Sequence, residues 1–244
     1  IKIIFPINYI IPYFQQLSKE SFALSKDDKN YRIDEQIVAM IEQAKKFVKM
    51  ENGTKLQNKI FLNGYSSSGV FAQRFAIIHP ELIDTACIGG ASGSIPLPSK
   101  NIGYPIGIQD YEELFDKSFD MEEYSKIKFR YYVAGLETSD KAKDRFDENG
   151  IPVSEHDMSY FERSVPLDVG IKQRSVLGME LFERAEKTVK LLKNSGLNIE
   201  HTIIPGREHS NKNGLGLTSL GDAFVDTTYK NSINTKEKEV PDAR

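Results

Sequence analysis

Residues 59–88 hold the feature that most narrows what this chain can fold into. An apolar run, Lys59 to Asn63 (KIFLN), leads at once into Gly64-Tyr65-Ser66-Ser67-Ser68-Gly69. A helical pattern runs on from about Ser67 to Ile78, with Val70, Phe71, Phe75 and Ile78 on one side. His79-Pro80 stops it, because the residue before a proline is pushed out of the α region. Leu82 to Ile88 reads as a second strand, closed by Gly89-Gly90. Strand, helix and strand in so short a span form a crossover unit, and a crossover unit implies parallel strands.

The rest of the chain repeats this alternation. Ile1 to Pro6 (IKIIFP) is a short apolar run ended by proline, the pattern of a buried strand, and a second short strand is expected near Phe22 to Leu24. Ile33, Ile37, Met40, Ile41, Ala44, Phe47 and Val48 recur at three- and four-residue steps and predict one apolar helix stripe, ended at Asn52-Gly53. Phe129 to Ala134 (FRYYVA) is a strand rich in aromatic and β-branched residues. Arg174 to Lys193 reads as one amphipathic helix ended by Gly196, and Ile199 to Ile204 as the last strand. Residues 91–127 read as irregular, with a charged, partly helical stretch near Tyr111 to Tyr124, and residues 138–170 are polar. The pattern predicts an α/β fold, a mostly parallel sheet flanked by helices. Functional groups in such sheets gather beyond the carboxyl ends of the strands.

Composition excludes some partners. The formal net charge is -3 and no long Lys/Arg run occurs, so a nucleic-acid partner is not expected. No uninterrupted apolar stretch is long enough to span a bilayer. The single cysteine, Cys87, has no partner for an internal disulfide. Zinc-type spacings such as H-E-x-x-H or paired C-x-x-C are missing, as is a glycine-rich nucleotide loop, so neither metal nor cofactor is expected.

The turn at residues 64–69 carries the chemistry. A serine on a sharp turn between an apolar strand and a helix is the setting of a nucleophile elbow. The turn is tight, so the residues two before and two after the nucleophile must be small, and Gly64 and Ser68 meet that demand around Ser66. Choosing Ser67 as nucleophile would put Tyr65 at a position that needs a small side chain. The run departs from G-x-S-x-G, with Ser68 at the second glycine position and Gly69 one step later. The backbone N–H of Ser67 is expected to stabilise an oxyanion from the helix N-terminus. The second donor is expected after the first apolar run, at Ile7 or Asn8, since Pro6 has no N–H.

A base and an acid should come later in the chain, in the order acid, then base. Of the four histidines, His209 alone sits in the loop just after the last strand, in Pro205-Gly206-Arg207-Glu208-His209. His79 lies at a helix C-terminus, His201 inside a strand and His156 in the polar insertion, each with an ordinary structural reason. The acid should come after Phe129 to Ala134, where Gly135-Leu136-Glu137-Thr138-Ser139-Asp140 offers Glu137 and Asp140. Spacing leaves both open; Asp is the commoner residue in this role, which favours Asp140.

The runs GYSSSGVFAQRFAIIHPELID, RIDEQIVAMIEQAKKF, YYVAGLETSD and IIPGREHS together resemble bacterial α/β-hydrolases with a G-[FY]-S-x-S-G elbow, relatives of the dienelactone-hydrolase, polyhydroxybutyrate-depolymerase and feruloyl-esterase groups. The resemblance covers most of residues 1–210. It implies an α/β-hydrolase domain over residues 1–225 that lacks the first two strands of the usual eight, while residues 226–244, polar with Lys/Glu repeats and Pro241, read from composition as a flexible tail. Residues 91–127 and 138–170 are expected as cap segments over the site. The implied activity is hydrolysis of a small-molecule carboxylic ester by Ser66, His209 and a loop carboxylate. A catalytically inactive binding protein, or a peptidase or acyltransferase on the same fold, is the alternative. The chain opens on Ile1 inside an apolar run, so a preceding segment, with any targeting signal, is expected to have been removed.

Overall fold

The computed structural model describes residues 17–52, 57–137, 146–155, 158, 164–209, 227–228 and 230. Helices α1 (Lys19–Phe22) and α2 (Ile33–Asn52) precede strand β1 (Ile60–Tyr65). Helix α3 (Ser67–Ile78), a 3-10 turn (Pro80–Leu82) and β2 (Ile83–Gly89) come after it. A second 3-10 turn (Ser92–Ser94), α4 (Tyr111–Phe115), α5 (Met121–Lys126) and β3 (Lys128–Ala134) are next. Helices α6 (Leu167–Leu177) and α7 (Leu181–Asn194) then lead into β4 (Asn198–Ile204). The four strands form one parallel sheet in the order β1-β2-β3-β4. This is an α/β fold, with helices packed on a parallel sheet as the alternating pattern predicts. The expected strand at Ile1 to Pro6 lies outside the described residues.

The strands pair in a register that aligns their carboxyl ends. Tyr65 lies opposite Gly89, Gly89 opposite Tyr132, and Ala134 opposite Ile204. The segments that leave the strands therefore emerge together at one edge of the sheet. The inner strands β2 and β3 are largely buried, which explains their near-continuous apolar character. Alternate side chains serve two clusters. Ile83, Ala86, Ile88, Phe129 and Tyr131 join the large core with α2 and α3, while Cys87, Tyr132 and Ala134 form a smaller cluster with Phe61, Tyr65 and Ile204.

Three expectations are corrected. Phe22 to Leu24 is not a strand: Phe22 ends the single turn α1 and packs edge-on against Tyr104 and Phe115. An apolar run that short has no period to read, and aromatic packing decides its form. The α2 stripe is narrower than its spacing suggests. Ile33, Ile37, Ile41 and Val48 are buried, but Met40 is 40% and Phe47 64% exposed. The helix predicted over Arg174 to Lys193 is two helices. Gly178, at φ +106°, ends α6, and a Cβ there would stand 2.2 Å from the Glu183 carboxyl carbon. The chain restarts from extended Glu180 into α7. Residues 91–127 contain the helical turns α4 and α5, and Tyr104, Tyr111, Phe115 and Tyr124 from this stretch belong to the large core.

Candidate active site

The segment from Gly64 to Gly69 makes a turn too tight for side chains at its closest points. A Cβ on Gly64 would lie 2.2 Å from the Ser68 carbonyl oxygen, and one on Gly69 would lie 2.8 Å from the Gly89 carbonyl oxygen. Ser66 takes φ 55° and ψ -122°, a strained conformation for a residue with a side chain. Surrounding bonds hold it there. The Ser66 N–H donates to the Gly89 carbonyl at 2.9 Å, and its own carbonyl accepts the Val70 N–H that opens α3. The Ser68 hydroxyl donates to the Tyr65 carbonyl at 2.8 Å and accepts the Tyr65 N–H at 2.9 Å, so it braces the turn. Ser67 is the first residue of α3, where a backbone N–H has no acceptor within its own helix.

Three chain segments meet at this turn. His209 Nε2 lies 2.9 Å from Ser66 Oγ. On its other side His209 Nδ1 is hydrogen-bonded to Glu137 Oε2. The Glu137 side chain is 1% exposed and that of His209 26%, so the carboxylate is enclosed while the imidazole borders solvent. Ser66 comes directly after β1, Glu137 lies three residues beyond β3 and His209 five beyond β4. Backbone bonds tie the last two segments together: the Gly135 N–H donates to the Ile204 carbonyl and the Leu136 N–H to the Arg207 carbonyl, both at 2.8 Å. The acid and base loops thus continue the pairing of β3 with β4. Asp140, favoured from sequence, lies outside the described residues, as do Ile7 and Asn8. Among the described residues the carboxylate on His209 is that of Glu137.

The other described histidines and Cys87 are engaged elsewhere. His79 is buried, with Nε2 at 3.0 Å from Asp34 Oδ2 and Nδ1 at 3.4 Å from Glu81 Oε1. Ligand atoms of Asp34, Glu35 and His79 lie within 4.8 Å of one another, as metal ligands could. Arg32, however, already forks onto Asp34 with two bonds of 2.9 and 2.7 Å and reaches Glu35. A guanidinium therefore occupies the place of a cation. His201 Nε2 lies 2.9 Å from Ser92 Oγ, and burial pushes its pKa below the ordinary histidine value. His156 lies outside the described residues. Burial pushes the Cys87 thiol up to about 12, so it remains protonated and is a poor nucleophile.

Two neighbours of the imidazole escape a reading of the sequence alone. The Tyr65 hydroxyl donates to the His209 carbonyl at 2.6 Å, and its ring stacks on the imidazole with centroids 5.3 Å apart. Gly90 takes φ +61°, and a Cβ there would stand 2.8 Å from His209 Cε1. The doubled glycine at 89–90 is a visible signal, but by itself it marks only the end of a strand. Nothing in the sequence marks Tyr65, since its partner is 144 residues away.

Among the described residues no helix is long and apolar enough to cross a membrane. Comparison with models of known protein families, with curated proteins and with solved structures finds no match for this chain.

Proposed function

We propose that this chain is a serine hydrolase of the α/β-hydrolase fold that cleaves a carboxylic ester through an acyl-enzyme. One observation carries the reading: a continuous hydrogen-bonded line from Ser66 Oγ through the His209 ring to the Glu137 carboxylate, assembled from three strand ends. The chain order nucleophile, acid, base is that of α/β-hydrolases, and the strained serine on a strand-to-helix turn supports the same fold. His209 takes the Ser66 proton as the hydroxyl oxygen attacks the ester carbonyl. Glu137 holds the imidazole in the tautomer that presents a bare Nε2, and stabilises the imidazolium once it forms. Negative charge on the tetrahedral oxygen is met by the Ser67 N–H at the start of α3, and by a second N–H expected at Ile7 or Asn8. The imidazolium then protonates the leaving alcohol. Water, activated by the same imidazole, releases the acid from Ser66.

The test is covalent labelling with a fluorophosphonate probe, paired with hydrolysis of p-nitrophenyl esters. The intact chain should label at Ser66 and turn over esters, and Ser66→Ala should do neither. Failure of the intact, folded chain to label would remove the reading. A parallel panel of peptides separates an esterase from a peptidase on the same fold.

A further inference from the structure

We infer that Tyr65 is a positioning residue that clamps the base loop onto the nucleophile turn, an inference that rests on the hydrolase reading above. β1 and β4 are the outer strands of the described sheet, so their ends stand about 14 Å apart, three strand spacings. The loop after β4 must therefore carry the imidazole across the ends of β3 and β2 to reach Ser66. Its root is held by the bonds from Gly135 and Leu136 to Ile204 and Arg207. Its tip has a different anchor, the Tyr65 hydroxyl on the carbonyl of His209 itself.

Tyr65 is suited to this task because it is the residue before Ser66. Its N–H and carbonyl are both engaged by the Ser68 hydroxyl, so its backbone belongs to the same rigid turn as the nucleophile. Its ring stacks with two others: His209 at 5.3 Å on an interplanar angle of 29°, and Tyr132 at 6.1 Å and 25°. Gly90 leaves room for this layer, since a Cβ there would press on both the imidazole and the Tyr65 ring. The phenol stays a donor over the useful pH range, because burial and then the Glu137 charge push it up to about 12. One side chain thus couples the place of the attacking oxygen to the place of its base. A ring serving only to fill the small cluster with Cys87 and Tyr132 would not need a hydroxyl aimed at a single carbonyl.

The experiment compares Tyr65→Phe with Tyr104→Phe. Tyr104 is a fully buried tyrosine whose hydroxyl donates to the Leu17 carbonyl at 2.6 Å, a contact made away from the triad, so it controls for lost stability. Tyr65→Phe keeps the stack and loses the clamp. The rate of Ser66 labelling by the fluorophosphonate should fall about three- to tenfold, the size expected for one neutral hydrogen bond. In ester hydrolysis the loss should fall on kcat, with KM kept near the parent value. Tyr104→Phe should leave both unchanged. Labelling rate and kcat equal to the parent in Tyr65→Phe overturn the inference. If the parent chain does not label at all, the hydrolase reading fails separately. The clamp is then decided by the NMR line of the His209 Cε1 proton, which Tyr65→Phe should move and broaden; an unchanged line overturns it.

Discussion

Glu137 is the carboxylate that meets the imidazole among the described residues. Asp140 is the commoner residue type for an acid partner, but Glu137 has the longer side chain and sits where the pairing of β3 with β4 has just ended. Its carboxylate is shielded from water against His209 Nδ1. An enclosed carboxylate on an imidazole strengthens the bond and fixes the tautomer. Glu137→Gln should therefore lower kcat for ester hydrolysis by about 10³- to 10⁴-fold, the range for losing a triad acid while keeping its shape. Asp140→Asn should leave kcat close to the parent value. Steady-state kinetics on one p-nitrophenyl ester measures both, and a reversed order would transfer the role to Asp140.

At the scale of elements, the turn from β1 into α3 is the decisive unit. Two strand-end glycines and a helix start converge there within a few ångströms, and backbone packs on backbone with no room for a methyl group. Gly64→Ala would drive a Cβ into the Ser68 carbonyl. The expected outcome is a destabilisation of about 2–3 kcal/mol, in line with overpacking at an unyielding site, together with a loss of fluorophosphonate labelling that exceeds the loss of folded protein. Urea midpoints and labelling of the folded fraction test the two parts. Gly206→Ala is the comparison: unlike Gly64 it sits at positive φ, so alanine strains the backbone and costs stability, but a Cβ there meets nothing within 4 Å, so labelling of the folded fraction should change little.

Across the whole molecule, a buried charge cluster joins the start of α2 to the end of α3. Asp34 is completely buried and accepts from Arg32 on one side and His79 on the other. Burial opposes the charge on Asp34, but the bonds from Arg32 and His79 outweigh it and hold the carboxyl well below the usual range. For His79 burial again opposes, and the bonds to Asp34 and Glu81 raise its pKa above the ordinary value. The two shifts act on stability in opposite directions of pH. A lowered carboxyl contributes stability above about pH 4 that is lost in acid; a raised histidine contributes stability below about pH 6.5 that is lost as pH climbs past its folded value. Urea midpoints should therefore decline from pH 6 toward pH 9, and His79→Gln should flatten that decline. Asp34→Ala removes the buried carboxylate between Arg32 and His79, leaving them only the half-exposed Glu35 and Glu81, and should cost about 3–5 kcal/mol. A cost below 1 kcal/mol would mean that water reaches the cluster.

Sequence alone determined the elements whose pattern is local. The four strands, the helix after the serine turn and the stop at His79-Pro80 are each written in a few neighbouring residues. So are Ser66, as the only register that keeps Tyr65 out of a tight position, and His209, as the one histidine in the loop after the last strand. Tertiary structure decided what depends on distant partners. It set Glu137 against the imidazole, turned Met40 and Phe47 outward from α2, and broke the predicted helix at Gly178. It also gave Tyr65 a carbonyl to hold. Periodicity records which face of an element is apolar, but a hydrogen bond between residues 65 and 209 exists only after parallel strands bring their carboxyl ends to one edge.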